Sequence, residues 1–255
     1  MSSTPCHVCG EAIEGEDLGA IGEAGLAHVR ARHPDEVPYP DMAVRNYFEG
    51  QARMTGGSER LAEIGTIEIH PVSEDRLDDW LAFFDFDGNV GVPENSACYC
   101  LEPHEWDPHQ PIPEMRHWRE RREEMIGLHR AGKAFGYLAY VDGRPAGWVN
   151  AARRGETALF RRGDEADDLT AAVACFVIAP PYRRHGLAQR LLERVLADAP
   201  ARGMDAVEAY PPKGPVPGGR NFRGGREMYD AAGFTEVKVR SRDVVMRRDA
   251  EEVAE

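Results

Sequence analysis

From Gly65 onward the chain settles into a regular succession of strand-like and helix-like hydrophobic patterns. Residues 66–70 alternate apolar and polar positions like a half-buried strand. Ser73 is placed to cap a helix carrying Trp80, Leu81 and Phe84. Residues 86–113, rich in Pro, Gly and Asp, read as loop around Cys98, Tyr99 and Cys100. A charged helix is predicted over 115–132, with Trp118, Met125, Ile126 and Leu128 as its apolar positions. Residues 135–141 and 146–152 flank Asp142 and Gly143, a pair that supplies the positive φ of a tight hairpin turn. The near-continuous apolar run 171–179 is the signature of a strand buried on both faces. It leads into a helix over 186–202 that gathers Leu187, Leu191, Leu192, Val195 and Leu196 on one face and stops at Gly203. A short strand at 205–210, a Pro/Gly loop at 211–225, a short helix at 226–232 and one or two strands within 235–246 complete the pattern. Upstream, residues 1–36 form a separate unit with a helix over 22–33. Residues 37–64 read as a linker with a short helix near 42–53 and a break at Gly56, Gly57 and Ser58. Residues 249–255 form an acidic tail, and no internal repeat is present.

The 255 residues are 42% apolar and 29% charged, which suits a real core in one large domain, or in one domain plus a small appendage. The 31 Lys and Arg against 44 Asp and Glu leave a net charge of −13. That balance disfavours nucleic acid as the main partner, because phosphate binding rests on basic side chains displacing counterions. The longest apolar stretch, around 170–181, is too short to span a bilayer, and the N-terminus lacks the basic start and apolar run of a secretory signal. A cytoplasmic location and no membrane partner are expected. Five cysteines, two pairs of them closely spaced, then favour metal or free thiols over a disulfide framework.

The most informative stretch is 175–192, CFVIAPPYRRHGLAQRLL. A buried strand ends at a Pro pair, passes through Arg183, Arg184, His185, Gly186, Leu187 and Ala188, and enters an amphipathic helix. Gly186 and Ala188 leave room for a ligand at the backbone, and the first helical amides with their dipole favour an anion. Arg183, Arg184, Arg190 and Arg194 form a basic island there against Glu193 alone. The plain alternative is a strand-turn-helix with a solvated basic helix start.

The turn from Arg183 to Ala188 resembles the Gln/Arg-x-x-Gly-x-Gly/Ala turn of the GNAT N-acetyltransferases. Downstream, Met228 to Phe234 (MYDAAGF) is similar to that family's Leu-Tyr-x-x-x-Gly-Phe helix end, with the strand Ala206 to Tyr210 between them as in the family. The resemblance covers residues 65–248 and implies an α/β (α+β) fold: a central, mixed, mostly antiparallel sheet flanked by helices. It also implies acetyl-CoA as co-substrate and an amine acceptor attacking in a ternary complex. By the same resemblance, backbone groups of Phe176, Val177 and Ile178 run beside the pantetheine arm, and amides from Arg184 to Gln189, including His185 and Leu187, hold the pyrophosphate. Glu208 matches a strand position where some members carry a catalytic glutamate, and Tyr229 the tyrosine that protonates the departing thiolate. A Glu satisfied by a nearby Arg and a core Tyr are the structural alternatives. Asn221 is a further cofactor candidate, one residue farther from Tyr229 than the family spacing. Lys213, Arg220, Arg223 and Arg226 could meet the cofactor's 3′-phosphate, close over the acceptor, or simply be solvated.

Cys6 and Cys9, then His28 and His33 eighteen residues on, have the ligand inventory of a tetrahedral zinc site. They resemble a Cys-Cys-His-His zinc finger with a long central gap, which implies structural Zn2+. The finger is acidic, so DNA is an unlikely ligand and a protein contact the better one. Cys98 and Cys100 with His104 and His109 could line the acceptor pocket, bind a second metal or simply pack, and Cys175 reads as core. The expected function is acetyl transfer to an amine; a small cationic amine (an antibiotic, polyamine or amino acid) suits the acidic surface, and a protein amine is the other acceptor. The alternative is a non-catalytic acyl-CoA-binding regulator with the finger as its interaction module.

Overall fold

A computed structural model describes residues 2–54, 57–92, 95–216 and 221–250. Gly56, Arg220 and the end of the acidic tail therefore lie outside the described residues.

The N-terminal part is a hairpin, β1 (Ser2–Pro5) and β2 (Ala12–Gly15), followed by α1 (Leu18–Arg32) and α2 (Asp41–Arg53). Asp17 caps α1 by accepting from the Ala20 amide at 2.8 Å, satisfying one of the orphan donors of the first turn. Cys6, Ile13, Ile21, Leu26, Val29, Val37, Val44 and Phe48 form its small core. Gly25 lets the helices touch there, since a Cβ at that position would sit 2.2 Å from the Phe48 ring.

This part is docked rather than tethered. The inner face of α2 carries the buried polar residues Asn46, Glu49 and Arg53, each bonded to the region beyond, though the Arg53 Nε has no partner. Glu49 accepts from Trp118 Nε1 at 2.6 Å and pairs with His117 Nε2 at 2.8 Å. Arg53 donates to Tyr99 Oη at 2.6 Å and to the Ser96 carbonyl at 3.0 Å, and stacks 3.8 Å over the Trp118 ring. Residues 37–64, expected as a linker, thus contain a packed helix; the extended part is confined to its end. There Leu61 donates to the Pro181 carbonyl at 2.9 Å.

The main sheet has seven strands in the order β3-β4-β5-β6-β7-β9-β8. They are β3 (Ile67–Pro71), β4 (Gly136–Val141), β5 (Arg144–Arg153), β6 (Thr170–Ile178), β7 (Ala206–Ala209), β8 (Thr235–Val239) and β9 (Val244–Asp249). Every pairing is antiparallel except β6 with β7. The Asp142-Gly143 turn has φ of 49° and 78°, as the sequence predicts for the β4–β5 hairpin. One face packs on α6 (Leu187–Asp198) through Leu187, Leu191, Leu192 and Val195, and α7 (Arg226–Ala231) adds Tyr229. The other face packs on α3 (Leu77–Ala82), the short α4 (Glu102–Glu105) and α5 (Trp118–Arg130), around Trp80, Phe84, Tyr99 and Trp148. Ser73 makes no capping bond to α3; its hydroxyl turns to Asp75.

The β5–β6 ladder slips by one residue: Asn150 pairs with Cys175 but Ala151 with Val173. Ala174 is the extra residue, a β-bulge. Val173 and Phe176 face α6, while Ala174, Cys175 and Val177 face the opposite side. The parallel pairing with β7 stops at Val173 and Ala209, immediately before the bulge. Beyond it β6 stays paired with β5 only, leaving an opening on its β7 side.

His129 is wedged against Trp80 (4.8 Å) and Trp148 (5.8 Å), and burial, with a smaller contribution from His104, lowers its pKa from 6.5 to about 4. The unfolded chain takes up a proton at this site near pH 6.5 and the native one does not, so stability is full above that pH and falls as pH drops toward 4. The expected loss is about 3 kcal/mol. Urea unfolding at a series of pH values should show this slope, and His129→Phe should flatten it.

Candidate functional site

The turn after β6 is built to leave backbone amides free. Pro180–Tyr182 forms one 3₁₀ turn, Arg184 takes a φ of 66° and Gly186 a φ of 80°, and α6 begins at once. The first intrahelical bond is Arg190 N–H to the Gly186 carbonyl at 3.1 Å, so the amides of Leu187, Ala188 and Gln189 precede the ladder. A non-glycine side chain at Gly186 would meet no neighbour, so the left-handed φ alone selects glycine. Arg183 does not project freely: its Nε donates to the Ile178 carbonyl at 2.8 Å. His185 Nε2 lies 3.0 Å from the Leu61 carbonyl, facing the linker.

A cavity of about 520 Å³ opens over this turn. Arg183, Arg184 and Gly186 to Gln189 line one side, Asn221, Phe222, Gly224 and Met228 the other, with Phe176 and Ile178 as floor. The Ala179 amide donates to the Ala146 carbonyl on β5. Strand alternation therefore turns the Val177 amide toward β5 and those of Phe176 and Ile178 toward the opening. Of the three residues expected beside a ligand, Phe176 and Ile178 thus turn their amides to the opening and Val177 turns its amide to β5. The Phe176 amide donates to the Phe222 carbonyl at 2.5 Å, so the 221–224 segment runs beside β6 where β7 has diverged.

A second cavity, of about 330 Å³, lies on the far side of the opening and shares Asn221 and Phe222 with the first. Cys98, Cys100, Cys175, Val177 and Phe84 line it, with Asn89, Glu102, Arg223, Arg242 and Asp243 among its polar groups. Tyr99 and Cys100 adopt φ of 47° and 57°, a left-handed pair of non-glycine residues held by the Arg53 and Asp85 bonds to Tyr99. Burial raises the Cys98 thiol to about 11. Burial also raises Cys100, but hydrogen bonds from Cys175 and Asn150 outweigh it and hold the group below an ordinary thiol. His104 bonds Asn150 and the Glu156 carbonyl and joins no metal cluster among the described residues. Cys98 and Cys100 both stand in the wall of this cavity.

Glu208 is 1% exposed and fully engaged. It accepts from Arg154 Nη1 at 3.2 Å, from Arg162 Nη2 at 2.6 Å and from Tyr210 Oη at 3.0 Å, and Arg247 lies 3.6 Å away. It lines neither cavity. Tyr229 is fully buried behind Gly224, and its hydroxyl donates to the Arg223 carbonyl at 2.6 Å. Burial, then the neighbouring Cys175, push its pKa well above the ordinary phenol value. Sequence reasoning missed Arg154, Arg162 and Asn89, which carry no motif and are placed by tertiary packing.

Cys6, Cys9, His28 and His33 come together at the hairpin and the end of α1, with one ligand atom from each within 4.8 Å of the others. Zinc bonds of about 2.0–2.3 Å give a tetrahedron with edges of roughly 3.3–3.8 Å, and Cys9 Sγ lies 3.3 Å from His28 Nε2. His33 Nε2 is buried without a hydrogen-bond partner, and His28 Nδ1 lies 3.8 Å from Glu11, as an outer carboxylate would. These residues fit a zinc ion.

Residues 96–212 match the sequence model described as the Acetyltransferase (GNAT) family. Over that span, somewhat less than half of the chain, the sequence is similar to the GNAT acetyltransferases. Among solved structures it is similar to an N-acetyltransferase from Staphylococcus aureus Mu50 (13% identity, 73% of this chain, 100% of that one, TM-score 0.46). It is also similar to the GNAT domain of S. lividans PAT (19% identity, 72% and 91%, TM-score 0.46). A third is yncA from Salmonella typhimurium, solved with its cofactor acetyl-CoA (12% identity, 74% and 96%, TM-score 0.42). No curated protein sequence matches the chain. No helix among the described residues is long and apolar enough to cross a membrane.

Replacing Glu208 by Gln should leave the fully buried Arg154 with only Asp164 and Asp167 as acids, at an expected cost of about 2–3 kcal/mol. Urea unfolding measures it. A base role alone would instead lower turnover and leave stability unchanged.

Proposed function

We propose that the protein transfers acetyl from acetyl-CoA to a primary amine by direct attack in a ternary complex, with the N-terminal part held together by a structural Zn2+. One observation carries the reading: two cavities on opposite sides of the sheet meet at the opening beside β6, and one of them is walled on one side by free amides at a helix start. The pyrophosphate would rest on the amides of Leu187, Ala188 and Gln189, beside Arg184. The pantetheine arm would follow β6, taking the Ile178 amide and displacing the Phe222 carbonyl from the Phe176 amide. Orientation and fixed dipoles then supply most of the rate.

Glu208 has both carboxylate oxygens committed to guanidinium and phenol donors. Its work in this proposal is to neutralise Arg154 and Arg162 rather than to take the amine proton. Tyr229 sits beside Cys175 behind the opening, and the return of a proton to the CoA thiolate requires its hydroxyl to leave the Arg223 carbonyl. Asn221 lines both cavities, and in this proposal it would touch the pantetheine end. The regulator alternative has less support, because α2 is buried against the Ser96–Tyr99 segment instead of presenting the finger as a free module.

Isothermal titration of acetyl-CoA into the wild-type protein should show saturable one-site binding. Gly186→Glu should abolish it while the protein stays folded, because a carboxylate then stands at the anion site. A folded wild type that does not bind would overturn the assignment. Metal analysis should find one zinc per chain, lost in Cys6→Ser together with a drop in Tm; full Tm after zinc removal would reject the structural metal.

A further inference from the structure

The second cavity is poorly suited to a polycation. Its described lining carries two carboxylates, Glu102 and Asp243, and two guanidiniums, Arg223 and Arg242. Asp243 is already spent: it pairs with Arg223 at 3.0 Å and with Arg240 at 2.6 Å. Arg242 has no ion-pair partner among the described residues. In a chain of net charge −13, a lining with one spare guanidinium and one spare carboxylate is a local departure, and it balances charge.

Asn89 adds an independent observation. It is 2% exposed, it lines this cavity, and its Nδ2 is buried without a hydrogen-bond partner. A buried amide left unpaired costs about 1–3 kcal/mol, so a position like this calls for an oxygen acceptor on the bound molecule. The remaining wall is apolar, from Phe84, Leu159 and Val177. A volume of about 330 Å³ is near the lower end for ligand pockets, which suits a compact molecule rather than a folded protein segment.

Resting on the N-acetyltransferase reading above, we infer that the acceptor is a small zwitterion of amino-acid type with an apolar body. Its carboxylate is received by Asn89 and Arg242, and its amine is presented beside Cys175 toward the opening. Glu102 stabilises the ammonium before the proton is lost. Transfer then forms the amide N–C bond and breaks the thioester C–S bond; one proton leaves the amine nitrogen and one is taken up by the CoA sulfur. Polyamines lack the carboxylate that the amide donor and the spare guanidinium require.

The test is equilibrium binding to the full chain saturated with CoA, which cannot react, using L-leucine, its decarboxylated analogue isoamylamine, and spermidine. L-leucine should bind at least ten-fold tighter than either amine. Asn89→Asp, close in size but repelling a carboxylate, should weaken L-leucine by ten-fold or more and leave CoA affinity unchanged. Arg242→Ala, at an exposed position, gives a second variant that folds independently of the Asn89 result and should weaken L-leucine as well. Tighter binding of spermidine or isoamylamine, no binding of L-leucine, or unaltered L-leucine binding in both variants would overturn the inference. Failure of CoA itself to bind would instead count against the acetyl-CoA reading, and L-leucine binding to the free protein remains a separate readout.

Discussion

Everything functional in this fold depends on one extra residue in β6. Antiparallel pairing with β5 runs on both sides of Ala174, but the slip of one position turns Ala174 and Cys175 to the same face and ends the parallel ladder with β7. A sheet cannot be both fully paired and open to a ligand. Stopping the ladder at Val173 leaves later β6 amides without strand partners, and buried amides need some partner. Phe222 supplies one for Phe176, and a ligand laid along the strand could supply others. Two cavities that would otherwise be separated by a continuous sheet meet there.

The acidic balance of the chain does not extend to its working parts. Arginine is gathered where the fold needs fixed positive charge, on the turn before α6 and around Glu208. In the second group, Arg154 is completely buried and is held by Asp164, Asp167 and Glu208, with Arg162 and Arg247 completing the network. An ion network of this kind sets geometry more than it adds stability, since desolvation offsets much of the attraction. It ties β7 to the 154–167 segment that borders the second cavity through Leu159.

The N-terminal part contacts both ends of the site. Arg53 holds the Ser96–Tyr99 segment, whose neighbours Asn95, Cys98 and Cys100 line one cavity, and Leu61 is bonded to the turn that lines the other. The cluster of Cys6, Cys9, His28 and His33 fixes the hairpin against α1, and α1 packs on α2. Order at this Cys/His cluster is thereby connected by packed side chains to the walls of both cavities.

Local pattern was enough for the longer helices, though not for the short α4 inside the 86–113 stretch read as loop, and for the β4–β5 hairpin, the buried run of β6 and the turn at Gly186, because each rests on residues close in the chain whose spacing or φ requirement is explicit. The four metal-ligand candidates were legible for the same reason: ligand chemistry restricts residue type and spacing. Glu208 was legible as a buried strand glutamate but not in its role, since its partners Arg154, Arg162 and Arg247 are 54, 46 and 39 positions away and only the fold brings them near. The β1–β2 hairpin, the bulge at Ala174 and the orphaned amide of Asn89 left no mark on the local pattern. Sequence alone determined the main helices and strands of the large sheet and where an anion can meet a helix start, because these follow from backbone stereochemistry and hydrophobic period. Only the tertiary structure decided which side chains share a cavity, because that depends on ladder register and long-range packing, which no local spacing encodes.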